Sequence, residues 1–461
     1  MQHFLPAVIS VLVVLGIMVL VHEFGHFVAA KFFGVRVEQF SIGFPPRLVG
    51  FKIGETDYCV SALPLGGYVK MTGESMPGEN MSLNASGGAE SDASAAQLPD
   101  PGALTSHPRW QRMIIGFAGP FANFVLAIGL MIGYYMFPHQ VPLFLSEPIG
   151  VDWVTPGSQA DQAGIQQGDR IVQFDNANAP TWIDANTRAA LDQNSTVPVV
   201  VERAGQQLTL HLPLTLDPKS KDAPLTQLGL TPQIQMAPLR VEAVTPHTPA
   251  ERAGLQPGDV FLSMDGHVFH GVGTVLAYLQ QRKGAPVALQ IGRNGATISM
   301  TVVPEQADAK DGKLWMLGFK PAIPPTRVEK KDFSGAIAAS LSFNKENSGL
   351  ILSVLQRLVT HKMSIGTLSG PIGIAQQTGQ AWESRSWEEM VQLMTVISLN
   401  LGILNLLPFP ILDGGMILFL LIESALRHDI DMRIKERIYQ VAFVLIIVFA
   451  VFVIYNDITK L

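Results

Sequence analysis

The chain has 461 residues, of which 48% are hydrophobic and 15% are charged, and its net charge is −6. Soluble globular proteins carry about 25% charged residues, so part of this chain is predicted to lie in a membrane. The modest negative charge and the lack of a concentrated basic stripe argue against nucleic acid as a partner. The single cysteine, Cys59, excludes an intrachain disulfide and a cysteine-rich zinc cluster.

Four uncharged runs are long enough to cross a bilayer, which takes about 20 helical residues. They are Phe4 to Val21, Met113 to Phe137, Met390 to Leu412 and Ile438 to Tyr455. We do not interpret the first run as a signal peptide, because it lacks a basic start and a small-residue cleavage site and continues into His22. The predicted fold class is a polytopic α-helical membrane protein with four transmembrane helices.

The motif HEFGH occupies residues 22–26, at the end of the first uncharged run. On an α-helix His22 and His26 project from the same face. Two such histidines can bind one Zn²⁺, and Glu23 beside them can take a proton from water as a general base. The alternative is two histidines that only hydrogen-bond to neighbouring helices. We favour the metal site, because ionisable groups inside membrane spans are costly and are functional by default.

A helix from Leu5 to Phe33 would be about 43 Å long, which exceeds the roughly 30 Å hydrocarbon core of a bilayer. His22 is therefore expected roughly 10–15 Å inside the cytoplasmic boundary. A polar inlet from that side could supply the water that hydrolysis needs.

The segment DYCVSALPLGGYVKM (57–71) predicts a β-hairpin turned at Leu-Gly-Gly, and Pro64 indicates an exposed edge. Residues 73–108 are rich in Gly, Ser, Ala and Pro and contain few large apolar groups. This composition predicts a disordered cytoplasmic insert, to which we assign no chemistry.

Two segments after the second span repeat each other: TPGSQADQAGIQQGDRIVQFDN (155–176) and TPHTPAERAGLQPGDVFLSMDG (245–266). Their offset of 90 residues indicates two copies of a domain rather than a solenoid. The pattern A-G-[IL]-x-x-G-D-x-[IVF] resembles PDZ domains, which bind extended peptides at a sheet edge. A spacer or size filter with empty grooves is the alternative.

The third span ends in NLGILNLLPFPILDGG (400–415), where Asp413 follows 23 uncharged residues. Catalytic zinc usually has three protein ligands and one open position. Pro408, Pro410, Gly414 and Gly415 interrupt the helix, and irregular backbone at membrane depth is tolerated only beside protein or a water-filled cavity. Asp413 is the predicted third ligand, with an interfacial helix cap as the alternative.

Orientation follows from the basic residues near the ends of the spans. Two loops are basic, the first with Lys31, Arg36, Arg47, Lys52, Lys70, Arg109 and Arg112, and the second with Arg427, Arg433, Lys435 and Arg437. Both loops are therefore expected in the cytoplasm. The two termini and the region from about 140 to 385 would face the other side, which is the periplasm in a bacterium.

These predictions together divide the chain into nine segments. They are 1–36, transmembrane helix 1; 37–72, a β-hairpin region; 73–108, the insert; 109–138, transmembrane helix 2; 139–225 and 226–325, two periplasmic PDZ-like α+β domains; 326–389, a periplasmic amphipathic helical region; 390–426, transmembrane helix 3; and 427–461, transmembrane helix 4 with the carboxyl terminus.

The combination of motifs resembles the site-2 protease family of intramembrane zinc metalloproteases, peptidase family M50. It consists of HEFGH, N-x-x-P-x-P-x-x-D-G from Asn405 to Gly414, and the two PDZ-like copies. GFAGPFANFVLA (116–127) and SGPIGIA (369–375) are also similar to that family. The resemblance covers nearly the whole chain, although the insert at 73–108 is longer than the family pattern.

This resemblance implies one Zn²⁺ per chain bound by His22, His26 and Asp413, with Glu23 as the general base. It implies that substrate is held by two groups of residues, which are Asn400, Asn405, Pro408 and Pro410, and Leu65, Gly66, Gly67 and Tyr68. It also implies that the β-hairpin region 37–72 is membrane-associated, with the 57–71 hairpin acting as a clamp. The expected substrates are single-span membrane proteins such as an anti-sigma factor already cut by a first protease, or remnant signal peptides. The PDZ-like pair would act as a periplasmic size filter, and the enzyme would lie in the bacterial inner membrane.

Two other classes of protein fit parts of the sequence. A metal-binding transporter would be expected to show paired hydropathy repeats, whereas the repeat seen here lies outside the four spans. A catalytically silent scaffold would be expected to lack the glutamate or a histidine of the motif, whereas this chain has Glu23 and both histidines, His22 and His26.

Overall fold

The structure is a computed structural model that describes residues 4–73, 100–145, 147–217, 220, 222–309, 312–322, 324, 326–360, 363, 366, 370–383 and 386–459. The chain divides into two compact units. Unit 1 comprises Met1–His139, Lys330–Val359 and Ser364–Leu461, and unit 2 comprises Gln140–Glu329 and Thr360–Met363.

The helices are numbered in chain order. They are α1 Phe4–Phe33, α2 Arg109–Met136, α3 Gln159–Gln162, α4 Trp182–Leu191, α5 Pro224–Gln227, α6 Pro249–Arg252, α7 Val272–Arg282, α8 Phe333–Val359, α9 Pro371–Glu383, α10 Trp387–Asn405, α11 Asp413–Leu426 and α12 Met432–Thr459. Short 3-10 turns cover Leu104–Ser106 and Leu143–Leu145.

The strands are numbered in the same way. They are β1 Val37–Ile53, β2 Thr56–Met71, β3 His139–Pro142, β4 Val151–Val154, β5 Arg170–Phe174, β6 Ala177–Asn178, β7 Thr196–Arg203, β8 Gln206–Pro213, β9 Leu230–Pro232, β10 Val241–Val244, β11 Val260–Met264, β12 Val287–Arg293, β13 Ala296–Val302, β14 Glu305–Ala309, β15 Gly312–Met316, β16 Phe319–Pro321 and β17 Thr326–Glu329.

Unit 1 is built around α2, against which α1, α8, α10 and α11 pack. In the described part of the chain, three helical segments are long and apolar enough to cross a membrane, namely Val11–Phe33, Arg109–Met136 and Met432–Thr459. The third predicted span is divided, because α10 ends at Asn405 and α11 begins at Asp413. These two helices have 19 and 14 residues, fewer than the about 20 that a spanning helix needs.

Two glycines allow α1 and α2 to approach closely. A Cβ atom on Gly25 of α1 would lie 2.2 Å from the carbonyl oxygen of Ala118, and one on Gly119 of α2 would lie 2.2 Å from His26 Nε2. Small residues at a helix interface let backbones meet at short range in a membrane. This packing places the imidazole of His26 directly against the backbone of α2.

The strands β1 and β2 are joined by a turn at residues 54–55 and form the sheet of unit 1. Residues 57–60 and 67–70 of β2 both pair with residues 39–42 of β1, so that Ser41 opposes both Cys59 and Tyr68. The predicted hairpin inside 57–71 is therefore wrong, because part of β1 lies between its two arms. The local pattern marks these residues as strands, but it does not specify which other segment they pair with.

The insert predicted at 73–108 lies mostly outside the described residues, since the structure describes none of residues 74–99. Its last part differs from the prediction. Leu104 is buried in a core cluster with Ala30, Val37 and Met71, and Arg36 Nη1 donates a 2.7 Å hydrogen bond to Asp100. A large apolar side chain in an otherwise small and polar segment packs residues 100–106 against the rest of unit 1.

Unit 2 contains two copies of one fold, each with its own hydrophobic core. The first copy has the sheet β6-β5-β7-β8 and the pair β4-β9, and the second has the sheet β11-β12-β13 and the pair β10-β16. The helices α4 and α7 occupy the same place in the order of elements. The second copy also carries the hairpin β14-β15. The internal repeat read from the sequence is thus a repeat of structure.

The repeated Gly-Asp turn is held by the same ion pair in both copies. Arg203 binds Asp169 through Nε and Nη2, each at 2.7 Å, and Arg293 binds Asp259 at 2.7 and 2.8 Å. Both aspartates are about 1% exposed. Burial alone would raise the pKa of Asp259, but hydrogen bonds from Arg293 and from the backbone N–H of Gln256 outweigh it and hold the pKa below its ordinary value.

Candidate metal centre

The two histidines of the HEFGH motif lie on one face of α1, and both are buried. Their Nε2 atoms are 3.3 Å apart. The rings meet nearly at right angles, with centroids 4.9 Å apart. The four-residue spacing on a continuous helix produces this convergence, as the sequence pattern predicts.

Asp413 reaches the same point from the other end of the chain, as the first residue of α11. Its Oδ2 lies 3.1 Å from His22 Nε2, and its Oδ1 lies 3.4 Å from His26 Nε2. The break between α10 and α11 positions the Asp413 carboxylate beside the two imidazoles, because the chain turns there and a new helix begins at Asp413. The carboxylate therefore faces the histidines rather than serving only as a cap at a membrane surface.

The donor atoms lie close enough to share one metal ion. Zinc–nitrogen and zinc–oxygen bonds of about 2.0–2.1 Å place neighbouring ligand atoms of a tetrahedron about 3.3 Å apart, and the two Nε2 atoms are 3.3 Å apart. Asp413 approaches His22 and His26 through two different carboxylate oxygens, at 3.1 and 3.4 Å. Asp413 Oδ2 is buried, and among the described residues its polar contact is the one 3.1 Å from His22 Nε2. Within the described residues, one group of three or more His, Cys, Asp or Glu side chains is close enough to share a metal ion, and it consists of His22, His26 and Asp413.

Helix α2 supplies contacts to both histidines that the sequence reasoning missed. The carbonyl oxygen of Ile115 lies 2.7 Å from His26 Nδ1, and Asn123 Nδ2 lies 3.1 Å from His22 Nδ1. Gly119, between them, leaves room for the His26 ring. One available signal was the polar Asn123 inside an uncharged run, since a buried polar side chain needs a partner.

The predicted catalytic base lies beside the histidines. Glu23 is half-buried, and a Cβ atom on Gly67 of β2 would lie 3.7 Å from Glu23 Cγ. The backbone of β2 therefore runs next to Glu23. Of the other residues predicted in this strand, Gly66 is buried and Tyr68 is half-buried, whereas the side chain of Leu65 lies outside the described part.

The residues predicted from the third span are distributed along α10 and the break after it. Asn405, the last residue of α10, has its Nδ2 atom 3.4 Å from His22 Nε2. Asn400 lies five residues earlier on α10 and is half-buried. Pro408 is exposed and Pro410 is half-buried, both in the non-helical segment 406–412. The structure thus brings Asn405 to the three candidate ligands, and it places the other three nearby in the chain.

Comparison with known proteins identifies the family. The model of Peptidase family M50 matches residues 10–449. The Regulator of sigma-E protease RseP of Escherichia coli (strain K12) is 32% identical over 483 residues, which cover 100% of both chains. The Regulator of sigma E protease of Haemophilus influenzae is 31% identical over 478 residues, again with full coverage of both. A Vibrio cholerae protein assigned as a zinc metalloprotease is 31% identical over 474 residues, or 98% of each chain.

The family match extends over nearly the whole chain and includes the HEFGH motif, the break before α11 and both copies in unit 2. It confirms the resemblance predicted from the motifs. The chain belongs to peptidase family M50 and is a metalloendopeptidase.

Proposed function

We propose that this peptidase cleaves single-span membrane proteins within the bilayer, using one zinc ion per chain. His22, His26 and Asp413 would hold the ion, and Glu23 would be the general base. The observation that carries the proposal is the meeting of three donor groups from α1 and α11, close enough to share one metal ion. The burial of the Asp413 carboxylate beside the two imidazoles supports it, because a buried carboxylate needs a positive partner and a bound cation would provide one.

Zinc held there by His22, His26 and Asp413 would supply Lewis acidity, which would polarise the scissile carbonyl and make the attacking water easier to deprotonate. Glu23 takes the proton that the attacking water loses as its oxygen bonds to the carbonyl carbon. It then delivers that proton to the leaving amide nitrogen as the C–N bond breaks, so Glu23 ends the reaction in its starting state. Asn405, 3.4 Å from His22 Nε2, would offer its amide to the substrate carbonyl.

Substrate would be presented as an extended strand along β2. Residues 67–70 pair with β1 on one side, and no other described strand pairs with that stretch of β2. A transmembrane helix must unwind before its peptide bonds become accessible, and new hydrogen bonds to a sheet edge would offset those lost on unwinding. The closeness of Gly67 to Glu23 would bring the added strand past the base.

Two groups of residues would hold this extended substrate. The first lies in β2 and comprises Leu65, Gly66, Gly67 and Tyr68, and the second lies on the opposite chain and comprises Asn400, Asn405, Pro408 and Pro410. The first group would contribute backbone hydrogen bonds, and the amides and proline rings of the second would line the other side.

The enzyme would lie in the bacterial inner membrane with four transmembrane spans, the third formed jointly by α10 and α11. The basic residues of the two loops favour a cytoplasmic location for those loops, and both termini and unit 2 would then lie in the periplasm. The two copies in unit 2 would be PDZ-like domains that act as a size filter. They would delay cleavage until a first protease has removed the bulky part of the substrate.

The names of the relatives favour an anti-sigma factor as substrate, since two of them are called regulators of sigma-E protease. The decisive experiment incubates the purified full-length protein in detergent with a single-span anti-sigma peptide, with and without a chelator. We expect cleavage that the chelator stops and added zinc restores. Chelator-resistant cleavage would reject the zinc mechanism.

A substitution tests the base separately from the metal. Glu23→Gln should abolish cleavage while leaving about one zinc per chain, because Glu23 is not among the three ligands. Glu38→Gln, which alters an exposed glutamate on β1, is the matched control and should cleave normally. Persistent cleavage by the Glu23 variant would remove this residue from the proposed role.

A further inference from the structure

Asn123 is a fully buried polar residue in the middle of α2. Its Nδ2 atom lies 3.1 Å from His22 Nδ1, and its Oδ1 is buried without a hydrogen-bond partner in the described part of the chain. Its backbone carbonyl accepts a 2.9 Å hydrogen bond from Ser398 Oγ on α10, which fixes α2 at this point. A side-chain oxygen left unpaired beside a candidate metal ligand calls for an explanation.

The chemistry of imidazole supplies one. A neutral imidazole has one N–H group and one nitrogen lone pair. His22 Nε2 faces Asp413 and His26, so it must keep its lone pair in order to bind a metal. Nδ1 must then carry the hydrogen and requires an acceptor. The NH₂ group of Asn123 cannot accept, but a half-turn of the amide would place Oδ1 against Nδ1–H and remove the unpaired oxygen.

The second histidine already has the arrangement that this reasoning requires. His26 Nδ1 lies 2.7 Å from the carbonyl oxygen of Ile115, and a carbonyl oxygen can only accept. His26 therefore carries a hydrogen on Nδ1, and its neutral form presents the lone pair of Nε2. Both acceptors come from α2, two helical turns apart, so this helix would orient the two imidazoles of α1 together.

We propose that Asn123 is a positioning residue that accepts a hydrogen bond from His22 Nδ1–H through its amide oxygen and thereby presents the Nε2 lone pair to zinc. The inference rests on the proposed function, because it needs His22 to be a zinc ligand. Partners of this kind outside the ligand shell typically contribute 10–100-fold to metal affinity.

The test measures zinc affinity by chelator competition on the full-length protein in detergent, together with the visible spectrum of bound Co²⁺. Asn123→Leu preserves the approximate side-chain size but has no acceptor, and we expect zinc binding about 10–100-fold weaker. Asn123→Asp keeps an acceptor in either orientation and should retain the wild-type affinity and Co²⁺ spectrum. A wild-type affinity in Asn123→Asp would show that residue 123 accepts a hydrogen bond from His22 Nδ1–H, because a carboxylate has no hydrogen to donate to Nδ1.

Asn344→Leu is the matched control. Asn344 is also buried and also has an unpaired Oδ1 among the described residues, but its amide donates to the carbonyl of Ser340 on α8. The same chemical change there should leave zinc affinity unaltered. Thermal unfolding of each variant in excess chelator would show whether the fold itself has been lost.

The outcomes separate the inference from the function on which it rests. If the wild-type protein binds no zinc, the proposed function fails. If the wild type binds zinc and Asn123→Leu binds it equally well, only the role of Asn123 fails. Loss of affinity in Asn123→Asp as severe as in Asn123→Leu would show that the amide donates, which also overturns the inference. Should the leucine variant not fold, the aspartate variant decides alone.

Discussion

Replacement of Gly119 by alanine is the sharpest test of how α2 positions the metal centre. The added Cβ atom would lie 2.2 Å from His26 Nε2. An ordinary van der Waals separation is about 3.5 Å, so the imidazole would have to move by about 1.3 Å. Metal–ligand distances tolerate deviations of only about 0.2 Å. A displacement of this size would remove His26 from the ligand set.

We expect Gly119→Ala to weaken zinc binding by more than the roughly 10–100-fold typical of changes outside the ligand shell, and to lose cleavage of a single-span peptide. Zinc affinity would be measured by chelator competition on the full-length protein, and cleavage by gel electrophoresis. Stability should change little or fall, because the clash opposes the gain of up to about 1 kcal/mol that alanine has over glycine in a helix.

The same helix offers matched controls. Gly129 and Gly133 have open space within 4 Å of an added Cβ, so alanine at either position should leave zinc affinity and cleavage unchanged. Wild-type zinc affinity in Gly119→Ala, with both controls also normal, would refute the reasoning. It would mean either that His26 is not a ligand or that α1 is not held against α2 at this distance.

Three further predictions follow from the described contacts. Asp413→Asn should reduce zinc affinity by more than 100-fold, since the proposed carboxylate ligand is lost; unchanged zinc stoichiometry would argue for another third ligand. Arg293→Met should destabilise the second copy, because it removes the ion-pair partner of Asp259, which is about 1% exposed; faster hydrogen exchange in β11 and β12 would show it. The folded-state pKa of Asp259 is depressed, so its ion pair with Arg293 stabilises the second copy fully at pH values above the ordinary aspartate pKa of about 3.9. This stabilisation is lost progressively as the pH falls below that value and through the folded-state pKa. Asp259→Asn should therefore flatten the dependence of the free energy of unfolding on acid pH.

Local sequence patterns were sufficient for the features that one stretch of chain forms by itself. The four-residue spacing of His22 and His26 implies a shared helical face, and the two imidazoles do converge. The proline and glycine cluster before and after Asp413 implies a helix break, and α10 does end at Asn405. The 90-residue repeat likewise reappears as the same strands and the same aspartate–arginine pair in both copies.

The local sequence patterns did not predict which strands pair with each other in the sheet of unit 1. Residues 57–60 and 67–70 have the composition of strands, and both are strands, yet each pairs with residues 39–42 rather than with the other. A period of two residues along a strand shows which side chains share a face. It does not show which of several extended segments will be the neighbour, because that depends on which arrangement buries Val37, Val69 and Met71 against α1 and α2.

By itself the sequence determined the chemistry available to this protein: a histidine pair with a glutamate on one apolar helix, and a carboxylate at a helix break far along the chain. Only the tertiary structure decided that these groups meet, and that Asn123, Gly119 and the carbonyl of Ile115 surround them. The physical reason is distance along the chain. Helical spacing fixes contacts within a few residues, whereas the packing of α1, α2 and α11 depends on the shapes of all three helices.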